Sequence, residues 1–257
     1  MINLAIVGTG RMGSLIKSTA QRSLTTAGDP VFSVVAHIDE NTEPREGLED
    51  LDVVIDFSAP AALPLIAELI EQSGAALVSG TTGYTPEQMK RLESLQAYGA
   101  ILHSGNYSIG IAALRHLVDQ ACRELAGFNI EIVECHHNQK VDAPSGTARL
   151  LLDTIIAAKH DEGQGTFEPI YGREGLLGPR QQNEIGVHAL RGGTVAGVHT
   201  VSFFGEDEEV ELTHRAGSRQ IFVTGALAAA ERMAKASPGL YTFDEIMFGS
   251  GPAPAIS

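Results

Sequence analysis

The sequence predicts an α/β fold with a doubly wound parallel sheet, followed by a second, smaller α+β domain with a mixed sheet. Strand-like and helix-like segments alternate over the first hundred residues, which is the pattern of parallel βαβ units. A Gly-x-Gly-x-x-Gly spacing at residues 8–13 lies between the first strand and the first helix. After about residue 105, strands joined by a hairpin replace this alternation. Together these observations indicate a Rossmann-type domain at the N-terminus.

The first domain is predicted from five strands and the helices between them. The strands are expected at residues 2–7, 31–38, 53–57, 75–79 and 101–103. Helices are expected over residues 11–24 and from about residue 61 to residue 71. A third helix is expected from Thr85, because Thr-Pro-Glu-Gln supplies an N-cap, a proline at the first position and a glutamine at the third.

The rest of the chain has a different order of elements. Helices are expected at residues 109–125 and 147–158, on either side of a strand at residues 130–136. Between residues 185 and 215 the pattern predicts antiparallel strands, with a hairpin of residues 198–204 and 210–214 around a turn at 205–207. A helix over residues 221–236 is expected to return to the first domain. We therefore expect domains at residues 1–105 and 106–218, and a returning C-terminal segment at residues 219–257.

Composition restricts the class of protein. The net charge of −14 argues against nucleic acid as the main partner, because phosphate contacts need a basic surface. The apolar runs are too short to cross a membrane, and the first residues lack the basic start of a signal peptide, so we expect a cytoplasmic protein without a membrane partner. Two cysteines, Cys122 and Cys135, fit a reducing compartment. An acidic protein that binds anions must gather its positive charge at a local site.

The glycine spacing at residues 8–13 predicts a dinucleotide site. Gly8 permits the tight turn, Gly10 lets a pyrophosphate approach the backbone, and Gly13 allows the helix to pack closely on the strand. The phosphates would then accept hydrogen bonds from the N–H groups at the helix start. The alternative is an ordinary glycine-rich turn. The candidate coenzyme contacts here are Gly8, Thr9, Gly10, Arg11, Met12 and Gly13.

An acidic residue at the end of the second strand indicates which coenzyme is preferred. Asp39 would accept hydrogen bonds from the ribose hydroxyls of NADH. A 2′-phosphate would need a basic residue there, and His37 is the only such candidate in residues 36–42. We therefore predict NADH as the preferred coenzyme, with NADPH as the alternative. The simpler interpretation of Asp39 is an acidic turn without a coenzyme contact.

Two loops that follow the fourth and fifth strands also lie where open α/β sheets bind ligands. From the spacing alone, each loop is equally well interpreted as an ordinary turn or as a ligand-binding loop. The candidate coenzyme contacts in these loops are Gly80, Thr81, Thr82, Ser104, Gly105, Asn106 and Tyr107.

A cationic stretch at residues 134–148 predicts a small-anion site. His136, His137 and Lys140 leave the end of a strand and lead into the start of a helix at Ser145-Gly146-Thr147. Cationic side chains and helix N–H groups would both bind a carboxylate. Three alternatives compete with this interpretation: histidines that are simply exposed, a zinc site that includes Asp142, and a reactive Cys135. Strand neighbours point to opposite faces and the spacing completes no tetrahedral set, so we expect no metal. Cys135 lies in an apolar strand, where a buried thiol is inert.

The His-His-x-x-Lys-x-Asp-x-Pro-Ser-Gly-Thr run at residues 136–147 resembles the signature of the 4-hydroxy-tetrahydrodipicolinate reductase family, formerly called dihydrodipicolinate reductase. The resemblance covers nearly the whole chain. It extends through residues 8–13, 55–58, 80–83, 106–108, 172–175, 188–199 and 213–219. It implies a reductase of diaminopimelate and lysine biosynthesis that acts on a small cyclic dicarboxylate. It also implies a homotetramer that joins the sheets of the substrate-binding domains.

The resemblance implies roles for matching positions. His136 would be the proton donor, Lys140 a cationic acid and His137 a substrate contact. Gly146 and Thr147 would bind one substrate carboxylate, and Arg219 would bind the other. The loops at residues 80–82 and 104–107 would contact the nicotinamide half of the coenzyme.

Two positions depart from the pattern of the family. Many members have a longer first loop with two successive glycines, whereas Gly10 stands alone here. Members that use NADPH often carry arginine directly after the acidic ribose ligand, where this chain has Glu40. Three other functions remain open at this stage: a non-catalytic NADH-sensing module, a metal-dependent hydrolase and a reductase of another imino or oxo acid.

Overall fold

The computed structural model describes residues 1–39, 41, 48, 50–161 and 165–249. Contacts between Cα atoms divide the chain into two compact units. The first unit contains Met1–Ser108 and the described residues from Gln220 onwards, and the second contains Ile109–Arg219. In the described residues no helix is long and apolar enough to cross a membrane.

The first unit is built on a six-stranded parallel sheet with the order β11-β5-β4-β3-β1-β2. Its strands are β1 (Ile2–Val7), β2 (Phe32–Ile38), β3 (Val53–Asp56), β4 (Ala76–Ser79), β5 (Ala100–His103) and β11 (Gly239–Tyr241). The five predicted strands are confirmed with ends shifted by a residue or so. The short β11 was not predicted, and it extends the sheet beyond β5.

Helices cover both faces of this sheet. They are α1 (Arg11–Ala20), α2 (Leu63–Ser73), α3 (Pro86–Ser94), α6 (Gln220–Met233) and α7 (Phe243–Phe248). One core joins the buried residues of α2 and α3 to the sheet residues Val7, Val54 and Leu77, whereas α6 packs against α1, β3 and β4. Thr85 begins α3 with the predicted capping box. The doubly wound fold is therefore confirmed. The prediction for α1 was too long, because a turn follows Ala20 instead of the expected helix to residue 24.

The second unit contains a five-stranded mixed sheet with the order β10-β9-β6-β8-β7. Its strands are β6 (Asn129–His136), β7 (Glu168–Tyr171), β8 (Glu184–Arg191), β9 (Val198–Phe204) and β10 (Glu209–Arg215). The β9–β10 hairpin is confirmed. Apolar residues such as Ile132, Val201 and Phe203 pack in one core with the helices α4 (Ile109–Glu124) and α5 (Gly146–Asp161).

The prediction of a wholly antiparallel segment between residues 185 and 215 was wrong. Strand β8 pairs with β6 in parallel, and only β9 and β10 run antiparallel to their neighbours. The cause is the loop that follows β8, which crosses the end of β6 and places β9 on the other edge of that strand. Hydrogen bonds hold this loop in place, from the Gly192 N–H to the His136 carbonyl and from the His137 N–H to the Val195 carbonyl.

Candidate functional site

The glycine loop between β1 and α1 is closely packed at two of its three glycines. Gly8 has a φ of +115°, and a Cβ atom there would lie 2.3 Å from the Phe57 carbonyl oxygen. A Cβ atom at Gly13 would lie 1.7 Å from the Gly8 carbonyl oxygen. No atom lies within 4 Å of a Cβ placed on Gly10. The backbone at Gly10 is therefore open to a ligand, while the other two glycines let helix, turn and strand approach one another.

The start of α1 can accept an anion. Thr9, Gly10 and Arg11 are exposed, and Met12 is half-buried. Gly10 is the N-cap without a side-chain cap, and the first turn of the helix contains no acidic residue. The N–H groups of this turn therefore present their partial positive charge in an exposed place, as a pyrophosphate requires.

Asp39 lies beside the glycine loop. Its Oδ2 atom accepts a hydrogen bond from Thr9 Oγ1 at 3.0 Å, and Oδ1 accepts one from the Asn41 N–H at 3.0 Å. His37 is engaged with the same loop, since its Nε2 atom lies 3.0 Å from the Gly8 carbonyl oxygen. Glu40, at the position where family members that use NADPH often carry arginine, lies outside the described residues.

A buried carboxylate that sequence reasoning gave no role organises the loop after β4. Asp56 is fully buried at the end of β3. It accepts hydrogen bonds from Ser79 Oγ at 2.7 Å, Thr81 Oγ1 at 2.9 Å and Tyr84 OH at 3.2 Å. Burial and the nearby Asp56 charge raise the pKa of Tyr84 to about 12, so the phenol keeps its proton. Asp56 thereby fixes the loop that contains Gly80, Thr81 and Thr82.

The loop after β5 is bound to the same strand ends. The Ser104 N–H donates to the Ser79 carbonyl at 3.0 Å, and Ser104 Oγ donates to the Asn106 carbonyl at 2.9 Å. Gly105 is exposed at its tip. Tyr107 is only 1% exposed, and its hydroxyl donates to the Ser79 carbonyl at 2.8 Å. The Tyr107 side chain therefore anchors this loop from within the core.

In the second unit, His136 lies against a buried carboxylate. Glu134 is fully buried, and its Oε2 atom lies 2.6 Å from His136 Nδ1. Arg191 donates to both carboxylate oxygens at 2.8 Å, and the Ser145 N–H donates to Oε1 at 3.0 Å. Burial would raise the pKa of Glu134, but the hydrogen bonds from Arg191, His136 and Ser145 lower it overall. Glu134 is therefore an anion that joins His136 to the start of α5.

His199 lies on the other side of His136. The two rings meet edge to face with their centroids 5.1 Å apart, and His199 Nε2 lies 3.0 Å from Ser145 Oγ. His199 is 4% exposed, and its Nδ1 atom has no hydrogen-bond partner among the described residues. Burial, together with the neighbouring His136, lowers the pKa of His199 to about 4. This imidazole is therefore neutral at pH 7.

The remaining residues of the cationic stretch lie in the loop between β6 and α5 and at the start of that helix. Lys140 Nζ pairs with Asp142 Oδ1 at 2.8 Å, which lowers the pKa of Asp142. His137 is half-buried in the same loop. At the start of α5, Gly146 is exposed and Thr147 is half-buried, with no acidic residue in the first turn of the helix. The chain thus places Lys140 and His137 in the loop that leads directly into the start of α5.

Two candidates from the sequence are not part of this cluster. Arg219 is exposed after β10, and its side chain makes no hydrogen bond or ion pair within the described part of the chain. Cys135 is a free thiol on β6. In the described residues no group of three or more His, Cys, Asp or Glu side chains could hold a metal ion.

Sequence reasoning missed three residues of the cluster: Glu134, Arg191 and His199. Glu134 carried a usable signal, because an acidic residue inside an apolar strand needs a buried partner. Arg191 and His199 carried none, since they are 57 and 54 residues away from Glu134 and Ser145, the residues they contact.

Two family models match the chain. The model described as dihydrodipicolinate reductase, N-terminus, matches residues 2–107, and the one described as dihydrodipicolinate reductase, C-terminus, matches residues 110–247. The two matches together span nearly all of the sequence.

Curated relatives and solved structures agree with these models. A 4-hydroxy-tetrahydrodipicolinate reductase of Caldanaerobacter subterraneus subsp. tengcongensis is 40% identical over 257 residues, covering 96% of this chain and 98% of the relative. One from Methanocorpusculum labreanum is 40% identical over 264 residues, covering 96% of this chain and 99% of the relative. A dipicolinate-bound dihydrodipicolinate reductase from Paenisporosarcina sp. TG-14 has a TM-score of 0.72 at 25% identity, covering 96% of this chain and 100% of that one. A C. glutamicum DAP dehydrogenase in complex with DAP has a TM-score of 0.51 at 15% identity and is similar in fold alone, covering 95% of this chain and 93% of that one.

Proposed function

Since this chain belongs to the dihydrodipicolinate reductase family, we propose that it reduces 4-hydroxy-tetrahydrodipicolinate to tetrahydrodipicolinate with loss of water, in diaminopimelate and lysine biosynthesis. The reductant is a nicotinamide coenzyme. The observation that carries the proposal in this chain is the contact of His136 with buried Glu134, which also accepts a hydrogen bond at the start of α5. An imidazole and a helix start held by one carboxylate suit a reaction that binds an anion and moves a proton.

The first unit supplies the residues that would hold the coenzyme. The open backbone at Gly10 and the uncapped start of α1 suit the pyrophosphate. Asp39 suits the hydroxyls of the adenosine ribose and would repel a 2′-phosphate, so NADH is the preferred coenzyme in this proposal. When bound, the nicotinamide supplies a hydride to ring carbon 4 of the substrate. The loops that Asp56 and Tyr107 anchor would hold the nicotinamide half.

The second unit supplies the residues that would hold the substrate. The N–H groups of Gly146 and Thr147 at the start of α5 suit one carboxylate. Arg219 is exposed and suits the other carboxylate, and His137 suits a further polar contact. Dipicolinate, which is bound to the Paenisporosarcina reductase, is a cyclic dicarboxylate of the same chemical class as the proposed substrate.

Two groups can deliver the proton that balances hydride addition. The 4-hydroxyl first leaves as water with a proton from the adjacent ring carbon, which gives a conjugated imine. The hydride then adds at carbon 4, electron density moves towards the ring nitrogen, and the adjacent ring carbon takes up a proton. His136 can donate from Nε2, because Glu134 accepts from Nδ1. Lys140 is the other cationic acid of the site, and its side chain is 21% exposed.

The decisive assay follows oxidation of NADH, and separately of NADPH, while 4-hydroxy-tetrahydrodipicolinate is generated in the cuvette by the upstream synthase. We expect oxidation that depends on this substrate, with a lower KM for NADH than for NADPH. Coenzyme binding without oxidation would favour the alternative of an NADH-sensing module. Oxidation with other imino or oxo acids, but not with this substrate, would favour a related reductase.

A further inference from the structure

Glu134 contacts the ring of His136 from the buried side of the site. We propose that Glu134, clamped by Arg191, is a positioning residue that fixes the proton of His136 on Nδ1 and couples that ring to the start of α5. The catalytic role of Nε2 in this inference rests on the proposed function. The positioning of the His136 ring rests only on contacts within this chain.

Each oxygen of Glu134 has a separate task. Oε2 accepts from His136 Nδ1 at 2.6 Å and from Arg191 Nη1 at 2.8 Å. Oε1 accepts from the Ser145 N–H at 3.0 Å and from Arg191 Nη2 at 2.8 Å. A fully buried carboxylate is unfavourable unless such donors satisfy it. Four donors do so here, and two of them belong to the proposed proton donor and the substrate-binding helix.

Arg191 makes the arrangement rigid. Its guanidinium binds the carboxylate through two parallel hydrogen bonds, which fixes the orientation of the carboxylate plane as well as its position. Arg191 Nη2 also donates to the Asp142 carbonyl at 2.6 Å. The same arginine thus ties the Glu134 carboxylate to the loop that contains Lys140.

The Nε2 side of the His136 ring meets a residue without a side chain. Gly197 lies beside it, and a Cβ atom at this position would lie 3.1 Å from His136 Nε2. Any larger residue would therefore crowd the nitrogen that Glu134 leaves available. Among the described residues, Glu134 and His199 contact the ring, and Arg191 binds Glu134. Lys140 and His214 are electrostatic neighbours of His199.

A proton held on Nδ1 determines the chemistry of the ring. In the neutral imidazole Nε2 is then the acceptor, and in the imidazolium it is the donor that can give its proton to the substrate. A carboxylate has the same orienting effect on the histidine of serine proteases, where it selects the tautomer. Without the carboxylate, the ring could rotate or carry its proton on the other nitrogen.

The test replaces the carboxylate by an amide of the same shape, Glu134→Gln, and compares it with Glu131→Gln. Glu131 lies on the same strand with its side chain on the opposite face, and is also held by an arginine fork and a histidine. We expect Glu134→Gln to lower kcat by about tenfold or more, with the coenzyme KM within about twofold of wild type. The control should retain its kcat within about twofold.

Two readouts separate positioning from a structural role. Long-range ¹H–¹⁵N NMR of the neutral His136 ring should show the Nδ1–H tautomer in the wild type and in Glu131→Gln, and a tautomer mixture in Glu134→Gln. In a His136→Gln background, Glu134→Gln should lower kcat no further, because it acts through the missing ring. The Nε2–H tautomer in the wild type, or additive losses in the double variant, would overturn the proposal.

The NMR readout needs no turnover, so the inference and the proposed function can fail separately. An Nδ1–H tautomer in a protein that oxidises no coenzyme would overturn the function and leave the positioning standing. If Glu134→Gln fails to fold, the tautomer of the wild type still tests the proposal. The variant Arg191→Lys keeps the positive charge but loses the two parallel hydrogen bonds to Glu134, and it then takes the place of Glu134→Gln in both readouts.

Discussion

At the scale of single residues, the imidazole of His136 has one nitrogen engaged by Glu134 and the other beside Gly197. Lys140 is paired with Asp142, so a substrate carboxylate would have to compete with Asp142 for this ammonium. His136 is thus held by a fully buried carboxylate and Lys140 by a half-exposed one.

Replacing His136 or Lys140 should impair the chemical step. We expect His136→Gln and Lys140→Met each to lower kcat by about a hundredfold or more, because proton transfer contributes that much in general acid catalysis. Steady-state kinetics with the substrate supplied by the synthase would measure the loss. Near-normal kcat in both variants would contradict the assigned roles.

The neutral state of His199 predicts a pH dependence of stability. Its folded-state pKa of about 4 is below the ordinary value of 6.5, so the folded protein binds fewer protons than the unfolded chain between these values. The contribution of His199 to the free energy of unfolding is therefore fully present above pH 6.5 and is lost as the pH falls towards 4. The loss is on the order of 1–3 kcal/mol for a group buried to this extent.

The variant His199→Gln, which cannot titrate, isolates this effect. Urea unfolding of wild type and variant at about pH 7.5 and pH 5 should show a smaller acid-induced loss in the variant. Equal losses in the two proteins would mean that His199 is already charged when folded.

At the scale of elements, the contact between α1 and β1 depends on a missing side chain. Gly13 brings the helix so close that a Cβ atom would meet the Gly8 carbonyl oxygen at 1.7 Å, whereas Gly10 faces open space. The two positions belong to one motif but have different physical roles, one in packing and one in access.

Alanine at these two positions should therefore give opposite phenotypes. We expect Gly13→Ala to cost about 3 kcal/mol of stability through overpacking. Gly10→Ala should change stability by less than about 1 kcal/mol but weaken NADH binding by about tenfold. Thermal unfolding and isothermal titration would measure both. A stable Gly13→Ala, or a Gly10→Ala with normal NADH affinity, would contradict these roles.

Elements that depend on local pattern could be predicted from the sequence, whereas pairing across the sheet could not. Five of the six strands of the first unit and the β9–β10 hairpin follow from alternation, apolar runs and turns. Strand β8 was misassigned because its parallel partner, β6, lies about fifty residues earlier in the chain, and a local pattern contains no information on the edge to which a strand is added.

The residues of the candidate site also fall into two groups, those that the sequence predicts and those that only the fold brings together. His136, His137 and Lys140 are neighbours in sequence and precede a helix start, so their spacing predicts an anion site. Arg191 and His199 come from β8 and β9, and only the fold brings them to β6 and α5. The burial of Asp56 likewise depends on hydroxyl groups from the next strand and loop.

At the scale of the whole molecule, a net charge of −14 coexists with a local concentration of cations. Arg173 and Arg180 bind Glu131 on one face of the second sheet, and Arg191 binds Glu134 on the other. Burial would raise the pKa of Glu131, but these arginines and His188 lower it to about 2. Arg173, Arg180 and Arg191 are thus committed to two carboxylates of this sheet, which leaves ligand binding to other cations.

The family resemblance implies a homotetramer, and we propose that the second unit forms it through its sheet. Leu190 and Phe204, on two strands of this sheet, are exposed large hydrophobic residues. We expect sedimentation velocity to give about four times the 27.2 kDa mass of one chain. A sharp monomer boundary at micromolar concentration would contradict this assembly.

In the proposed function, this chain transfers a hydride from a nicotinamide to ring carbon 4 of a cyclic dicarboxylate. The most direct measurement supplies NADH that is deuterated at the transferable position and analyses the product by mass spectrometry and NMR. We predict tetrahydrodipicolinate with one deuterium at carbon 4, formed in equal amount to the coenzyme oxidised. Oxidised coenzyme without deuterated product, or no oxidation of either coenzyme by the folded protein, would contradict the claim.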